Sequence, residues 1–177
     1  MRTPWDIARL AASALAASPG LQGFCAERFG QALAVYLGGA GTDFENLPRP
    51  FAVISLAGAT DGAKAADTVD LSVAVGIDSC IDPESGTDAD LSKPFPLPDG
   101  VRLVGRGPDI VLLAGLAADE AGDALPDCVV EKRSFRYLAG TTPLEAAVAV
   151  LTIAPGIGFW NGDDASLHFH HHPQQET

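Results

Sequence analysis

The residues best suited to hold a metal ion are the four histidines of the chain, all of which lie near its C-terminus: His168, His170, His171 and His172. If this segment is a strand, His168 and His170 lie on one face about 7 Å apart, a geometry that can bind zinc or nickel. Asp163 and Asp164 could add oxygen ligands, but no nearby cysteine completes a closed site. A terminal histidine tract is only a compositional signal, so we predict no native metal site and no cofactor. A small metal-binding protein or enzyme that uses these histidines is kept as an alternative.

The residue types of common catalytic sites are present, but their arrangement does not favour catalysis. No histidine precedes residue 168, so a Ser-His-Asp or Cys-His site would need the C-terminal segment to fold back. Paired carboxylates are abundant, and we expect all of these pairs in loops or on the wet side of a helix, without apolar surroundings that would raise a pKa. The sequence therefore predicts a protein that is not an enzyme and has no catalytic residues.

Two glycine-rich segments have the composition of phosphate-binding loops. Residues 38–41 are not followed by Lys-Ser or Lys-Thr, so we predict a turn there. Residues 105–107 precede a predicted helix, whose N-terminus could hold an anion. No other phosphate-binding residue accompanies them, and we expect a plain loop.

The composition describes an acidic globular chain. It has 177 residues, 47% hydrophobic and 19% charged, which suits one domain with an ordinary core. The net charge of −12 argues against a nucleic acid or an anionic membrane surface as partner. No apolar run is long enough to span a membrane. The odd number of cysteines, at Cys25, Cys80 and Cys128, predicts reduced, buried thiols in a cytosolic setting.

The strongest structural pattern lies at residues 51–77. In its second half, apolar residues alternate with polar or small ones, which predicts a strand with one buried face: Val69, Leu71, Val73 and Val75 against Asp70, Ser72 and Ala74. The apolar run at residues 51–56 predicts a more fully buried strand. We expect residues 57–67 to be a solvated loop and the two strands to form the centre of an antiparallel sheet.

The remaining elements follow from periodicity and from Gly and Pro boundaries. Helices are predicted at residues 4–17, after the capping residue Thr3, and at 108–124, with 21–29 as a further short turn of helix. Further strands are predicted at residues 32–37, 101–104, 128–137 and 144–153, and loops at 39–50 and 78–100. The last loop is acidic and rich in proline, and its spacing does not fit a calcium loop.

Two details of these elements can be checked in the structure. In the second long helix, one predicted apolar face carries Ile110, Leu113, Leu116 with Ala117, and Ala121. The charges of the strand at residues 128–137 indicate that one of its faces is wet. Together the elements predict an α+β fold, with a mostly antiparallel sheet packed against two helices. Residues 1–155 would form this single domain, and residues 156–177 a His-rich tail that is flexible or becomes ordered on a partner.

The order of the elements resembles the tail terminator, or tail-completion, proteins of tailed bacteriophages and prophages. The resemblance covers about residues 5–153. After an N-terminal helix it rests on short sequences and two closing strands: 25–30 (CAERFG), 35–38 (VYLG), 48–54 (PRPFAVI), 73–76 (VAVG), 129–137 and 144–153. The acidic loop and the His-rich tail depart from the family pattern.

This resemblance implies a structural role in the virion. Such proteins form a homo-oligomeric ring, typically hexameric, that caps the tail tube and joins it to the head. The implied partners are the tail tube protein and the head–tail connector proteins, with no membrane and no sequence-specific nucleic acid. The implied location is the cytoplasm of the bacterial host during assembly and then the virion tail. Another phage neck or tail component, or an α+β oligomerisation module without a viral role, is kept as a further alternative.

Overall fold

The computed structural model describes residues 3–39, 42–60, 68–78, 99, 106–138 and 144–156. The helices and strands are, in chain order, α1 Pro4–Ala17, α2 Pro19–Phe29, β1 Ala34–Leu37, β2 Phe51–Thr60, β3 Thr68–Asp78, α3 Gly107–Asp123, β4 Cys128–Leu138 and β5 Leu144–Pro155. A short 3₁₀ turn, Phe44–Asn46, lies in the loop before β2. The predicted α+β fold with a mostly antiparallel sheet is confirmed.

The five strands form one sheet in the order β1-β2-β3-β5-β4. Among the described strands, β1 and β2 run parallel, and every other neighbouring pair is antiparallel. The predicted pairing of β2 with β3 is confirmed, and β3 is the central strand. The predicted pairing of the last two strands is confirmed as well, along almost the full length of β4. The two edges of the sheet are therefore β1 and β4.

Strand β2 is longer than its apolar run predicts. Residues 57–60 continue the strand, so the prediction of a loop from residue 57 is wrong. The pairing shifts between Leu56 and Gly58, which is a bulge, and then continues from Gly58 opposite Asp70 to Thr60 opposite Thr68. Gly and Ala have low strand propensity, and the long ladder with β3 overrides that local preference.

The N-terminal region holds two consecutive helices. In α1, Asp6 accepts a hydrogen bond from the backbone N–H of Thr3, which fixes the first turn at the predicted cap. Ser18 ends α1 and also caps α2, because its side-chain oxygen accepts the N–H of Leu21 at 3.2 Å. Gly30 then ends α2 with a φ of 72°, in the left-handed region. The second helix is thus 11 residues long, where the sequence predicted only a short turn.

The sheet has two unlike faces. On the first, which we call the helical face, α1 and α3 cover the alternating apolar residues of the strands, and the predicted inward direction of Val69, Leu71, Val73 and Val75 is confirmed. The second, which we call the outer face, carries a smaller buried cluster of Phe51, Val53 and Ala74, with Leu47 packed against it. The core of the protein therefore lies between the helices and the sheet.

Helix α3 lies on the helical face of the sheet. Ile110, Leu113 and Ala121 are buried as predicted. Leu116 is 36% exposed, so its predicted burial is wrong. The side of α3 that packs against the sheet is narrow. Residue 117 faces the sheet at this level, so residue 116, about 100° away around the helix axis, points toward solvent.

Several predictions concern residues outside the described part of the chain. These are the strand at residues 101–104, the acidic loop apart from Asp78 and Asp99, the thiol of Cys80 and the histidine tract. Cys25 is buried and free as predicted, and Cys128 is half-buried. Among the described helices, none has the length and apolarity required to cross a membrane.

Candidate functional site

Strand β4 is the most exposed element of the sheet. Each residue from Glu131 to Leu138 is exposed, on both faces of the strand. The prediction of one wet face is therefore wrong, because both faces are wet. Among the described residues, β4 is the terminal strand and pairs only with β5, and α3 reaches it near Val130 and Arg133. The outward N–H and C=O groups of such an edge can pair with another chain.

The helical face of β4 carries two exposed aromatic rings. Phe135 and Tyr137 stand opposite Ala149 and Ala147 of β5, whose side chains are buried on the helical face. Both rings are 45% exposed, because the helix layer ends before it reaches them. Exposed aromatic side chains on an edge strand are typical of protein–protein contact surfaces.

The charge of β4 is opposite to that of the chain. The strand contains Lys132, Arg133, Arg136 and a single acid, Glu131, and so carries a net charge of +2 in a chain of −12. Arg133 lies on the helical face and pairs with Asp119 of α3. By their register with β5, Lys132 and Arg136 lie on the outer face. The strand is thus aromatic on one face and basic on the other.

The opposite edge of the sheet, β1, borders an open groove beneath α1. The groove has a volume of about 340 Å³ and is lined by Arg9, Ala12, Ser13, Ala16, Val35 and Leu37. Leu37, which lines this groove, is 48% exposed. On the opposite face of β1, the side chains pack against the buried cluster of the outer face. The small residues of α1 leave the space that a larger side chain could fill.

The outer face beside β1 is acidic. The segment from β1 to β2 crosses this face, where Phe44 stacks on Phe51 with ring centroids 6.0 Å apart. The exposed acids Asp43 and Glu45 flank that ring. Asp43 also holds the 3₁₀ turn, since its carboxylate accepts the N–H of Glu45 at 3.1 Å. The β1 edge is therefore grooved on one face and acidic on the other.

A group of buried charges lies where α2, α3 and β5 meet. Arg28 Nε donates to Asp109 Oδ1 at 2.9 Å, and Asp109 is 1% exposed. Glu145 is also buried, on the helical face of β5. The burial of these two single carboxylates was not predicted from the sequence. The alternation of β5 already points to Glu145, because it shares a face with buried Ala147 and Ala149.

Glu145 also occupies the start of α3. Its Oε1 accepts the backbone N–H of Arg106 at 3.2 Å, so a carboxylate of the protein itself fills the place considered for a bound anion. The guanidinium of Arg106 lies 5.7 Å from the centroid of Phe29. Tyr137 donates to Oε2 of Glu145 at 3.4 Å. Loss of solvent around Tyr137, with the charge and hydrogen bond of Glu145, raises the pKa of its phenol.

These buried charges hold elements of the fold together. Each carboxylate faces an arginine or a backbone N–H, as is typical of structural pairs. Among the described residues, no three His, Cys, Asp or Glu side chains come together to hold a metal ion. The metal-binding alternative stays a prediction, because all four histidines lie outside those residues. Elemental analysis of untagged protein, purified without an affinity column, tests it: stoichiometric zinc would support a native site.

No model of a known protein family matches the chain, and a search of curated proteins finds no match either.

Proposed function

We propose that this chain is a structural protein of a bacteriophage or prophage virion, a tail terminator whose copies form a ring on the tail tube. The ring would cap the tube and join it to the head connector. Its partners would be further copies of itself, the tail tube protein and the connector proteins. Assembly would take place in the cytoplasm of the bacterial host, and the final location would be the virion tail.

The observation that carries the proposal is the unlike character of the two sheet edges. One edge, β4, is basic and aromatic, and the other, β1, is grooved and lies beside exposed acids. A molecule with two different, complementary edges can join head to tail, and such contacts close into a ring when the rotation permits. The order of helices and strands also agrees with the family pattern over residues 5–153.

The charge of the chain suits this role. A net charge of −12 disfavours a hold on DNA phosphates, and a ring through which DNA passes should not retain it. The acidic residues 82, 84 and 88 belong to this hypothesis, since they would add to a negative lumen. If reversing all three charges leaves assembly unchanged, these acidic residues have no part in the proposed ring.

The experiment that tests this function is electron microscopy of virions assembled with and without the protein. Without it, we expect tail tubes of uncontrolled length and heads that remain unattached, and the wild-type gene supplied in trans should restore both. Tails of normal length that merely fail to join heads would indicate another neck component. Normal virions in its absence would overturn the proposal.

A further inference from the structure

We infer that copies of this chain join by adding β4 of one copy to the free edge of β1 of the next, so that their sheets become continuous. This contact rests on the proposed ring and deepens it by naming the surface and the partner, which is a second copy of the chain. It uses the strand edge, the helical face and the outer face together.

The strand directions allow this contact. Strands β1, β2 and β5 run one way, and β3 and β4 run the other way. If a second copy repeats the sheet alongside the first with its helices on the same side, its β1 therefore lies antiparallel to β4. An antiparallel pair is the arrangement that already dominates this sheet, and it pairs the outward backbone groups of both edges.

On the helical face, a large side chain meets a groove. Phe135 projects from β4 on this face and is half exposed, and the groove beside β1 lies on the same face under α1. Ala16 and Leu37 line that groove with apolar surface. With both sheets continuous, Phe135 of one copy would enter the groove of the next, as an aromatic anchor enters a pocket.

On the outer face, opposite charges meet. Lys132 and Arg136 project from β4 on this face, and Asp43 and Glu45 are exposed on the segment from β1 to β2, which crosses the same face. Since β4 carries +2 of a total of −12, the rest of each copy carries −14 and attracts the strand. Two β4 strands would instead repel one another, so the charges disfavour a symmetric dimer through this edge.

Two double variants separate the two halves of the contact. The edge variant, Phe135→Glu with Arg136→Glu, removes the ring and reverses the charge of β4. The groove variant, Ser13→Trp with Glu45→Lys, fills the groove and reverses the charge beside β1. All four side chains are exposed, so both variants should fold. Leu116→Glu is the control. Leu116 is exposed and lies seven positions after Asp109, so the two residues are on the same side of α3. That side faces α2, because Asp109 pairs with Arg28.

The masses of the variants in solution test the contact. Each double variant alone should be monomeric at concentrations where the wild type and Leu116→Glu assemble. The loss of the anchor should raise the dissociation constant by about 30-fold or more. Mixed together, the two variants should form a one-to-one heterodimer, because one edge variant still offers its groove to the intact β4 of one groove variant.

Each outcome decides between the inference and the function. If the wild type assembles and both double variants assemble equally well, the inference fails and the proposed ring stands. If each variant is monomeric and the mixture stays monomeric, the head-to-tail pairing of these edges is wrong. If the wild type itself is monomeric at every concentration, the ring and the inference fall together. Circular dichroism of each variant verifies that lost assembly is not lost folding.

Discussion

Arg28 and Asp109 are 81 residues apart in the chain, yet the Nε of the first lies 2.9 Å from the Oδ1 of the second. The arginine lies in the last turn of α2 and the aspartate in the first turn of α3, so the pair ties these two helices together. Asp109 is almost completely buried, and its carboxylate also lies in the first turn of a helix, where negative charge is favourable. The pair therefore fixes one corner of the helix layer.

Asp109→Asn should lower the free energy of unfolding by about 3 kcal/mol, since it leaves a largely buried arginine without its carboxylate. Urea unfolding followed by circular dichroism measures this loss. Asp123→Asn, an exposed acid of the same helix, is the control and should change stability by less than about 0.5 kcal/mol. Replacing both partners, with Arg28→Met and Asp109→Leu, should recover much of the loss. An Asp109→Asn variant as stable as the control would contradict the structural role of the pair.

Gly76→Ala should destabilise the protein by about 2 kcal/mol, because the outer face has no room for a methyl group there. A Cβ at this position would lie 2.3 Å from the Cζ of Phe51, whose ring is buried and stacked on Phe44. Thermal or urea unfolding measures the change. Gly115→Ala is the matched control: nothing lies within 4 Å of its Cβ, and alanine should stabilise α3 by up to about 1 kcal/mol. Equal effects at both positions would contradict the close packing at Phe51.

Cys25 should resist alkylation in the native protein more strongly than the half-buried Cys128. Complete burial raises the pKa of the Cys25 thiol to about 12, so its reactive thiolate is scarce at neutral pH. Mass spectrometry of peptides after brief alkylation, with and without urea, distinguishes the two sites. Rapid native labelling of Cys25 would contradict its burial.

The same thiol should make stability depend on pH. Its folded pKa lies above the ordinary value of 9.0, so the unfolded chain releases this proton first. The Cys25 thiol makes its full contribution to the free energy of unfolding below about pH 9. This contribution falls by about 1.4 kcal/mol per pH unit as the pH rises toward 12. Unfolding of the wild type and Cys25→Ala between pH 8 and about pH 11 measures it as the difference between the two slopes. Identical slopes would contradict this prediction.

Glu145→Gln should lower the pKa of Tyr137, because it removes the negative charge and weakens the hydrogen bond beside the phenol. The chain has two tyrosines, so a Tyr36→Phe background leaves Tyr137 as the single phenol. Ultraviolet absorbance during an alkaline titration follows it. An unchanged titration curve would mean that Glu145 does not act on this ring.

The sequence predicted the elements whose patterns are local. Three local signals predicted their elements correctly, because each lies within a few residues: the alternation in β3, the capping residue Thr3 and the proline after α3. The continuation of β2 through residues 57–60 was missed, since Gly and Ala give no strand signal and only the ladder with β3 holds them. The start of α2 was missed because Ser18 ends one helix and caps the next.

The candidate interface was harder to predict than the fold. The composition of β4 indicated one wet face, but strand order decides that it is an edge and exposes both faces. The partner of Asp109 lies 81 residues away, so no local pattern announces the pair. Likewise, the groove under α1 arises from small residues that the sequence presents only as an alanine-rich helix.

The absolute mass of the wild-type protein, measured by light scattering over a concentration series, tests the proposed ring. We predict assembly toward a closed ring, with a plateau near six times the chain mass. The edge variant Phe135→Glu with Arg136→Glu should remain at the mass of one chain over the same range. A wild-type protein that stays monomeric at every concentration, or forms a tight dimer with stoichiometric metal, would contradict the account.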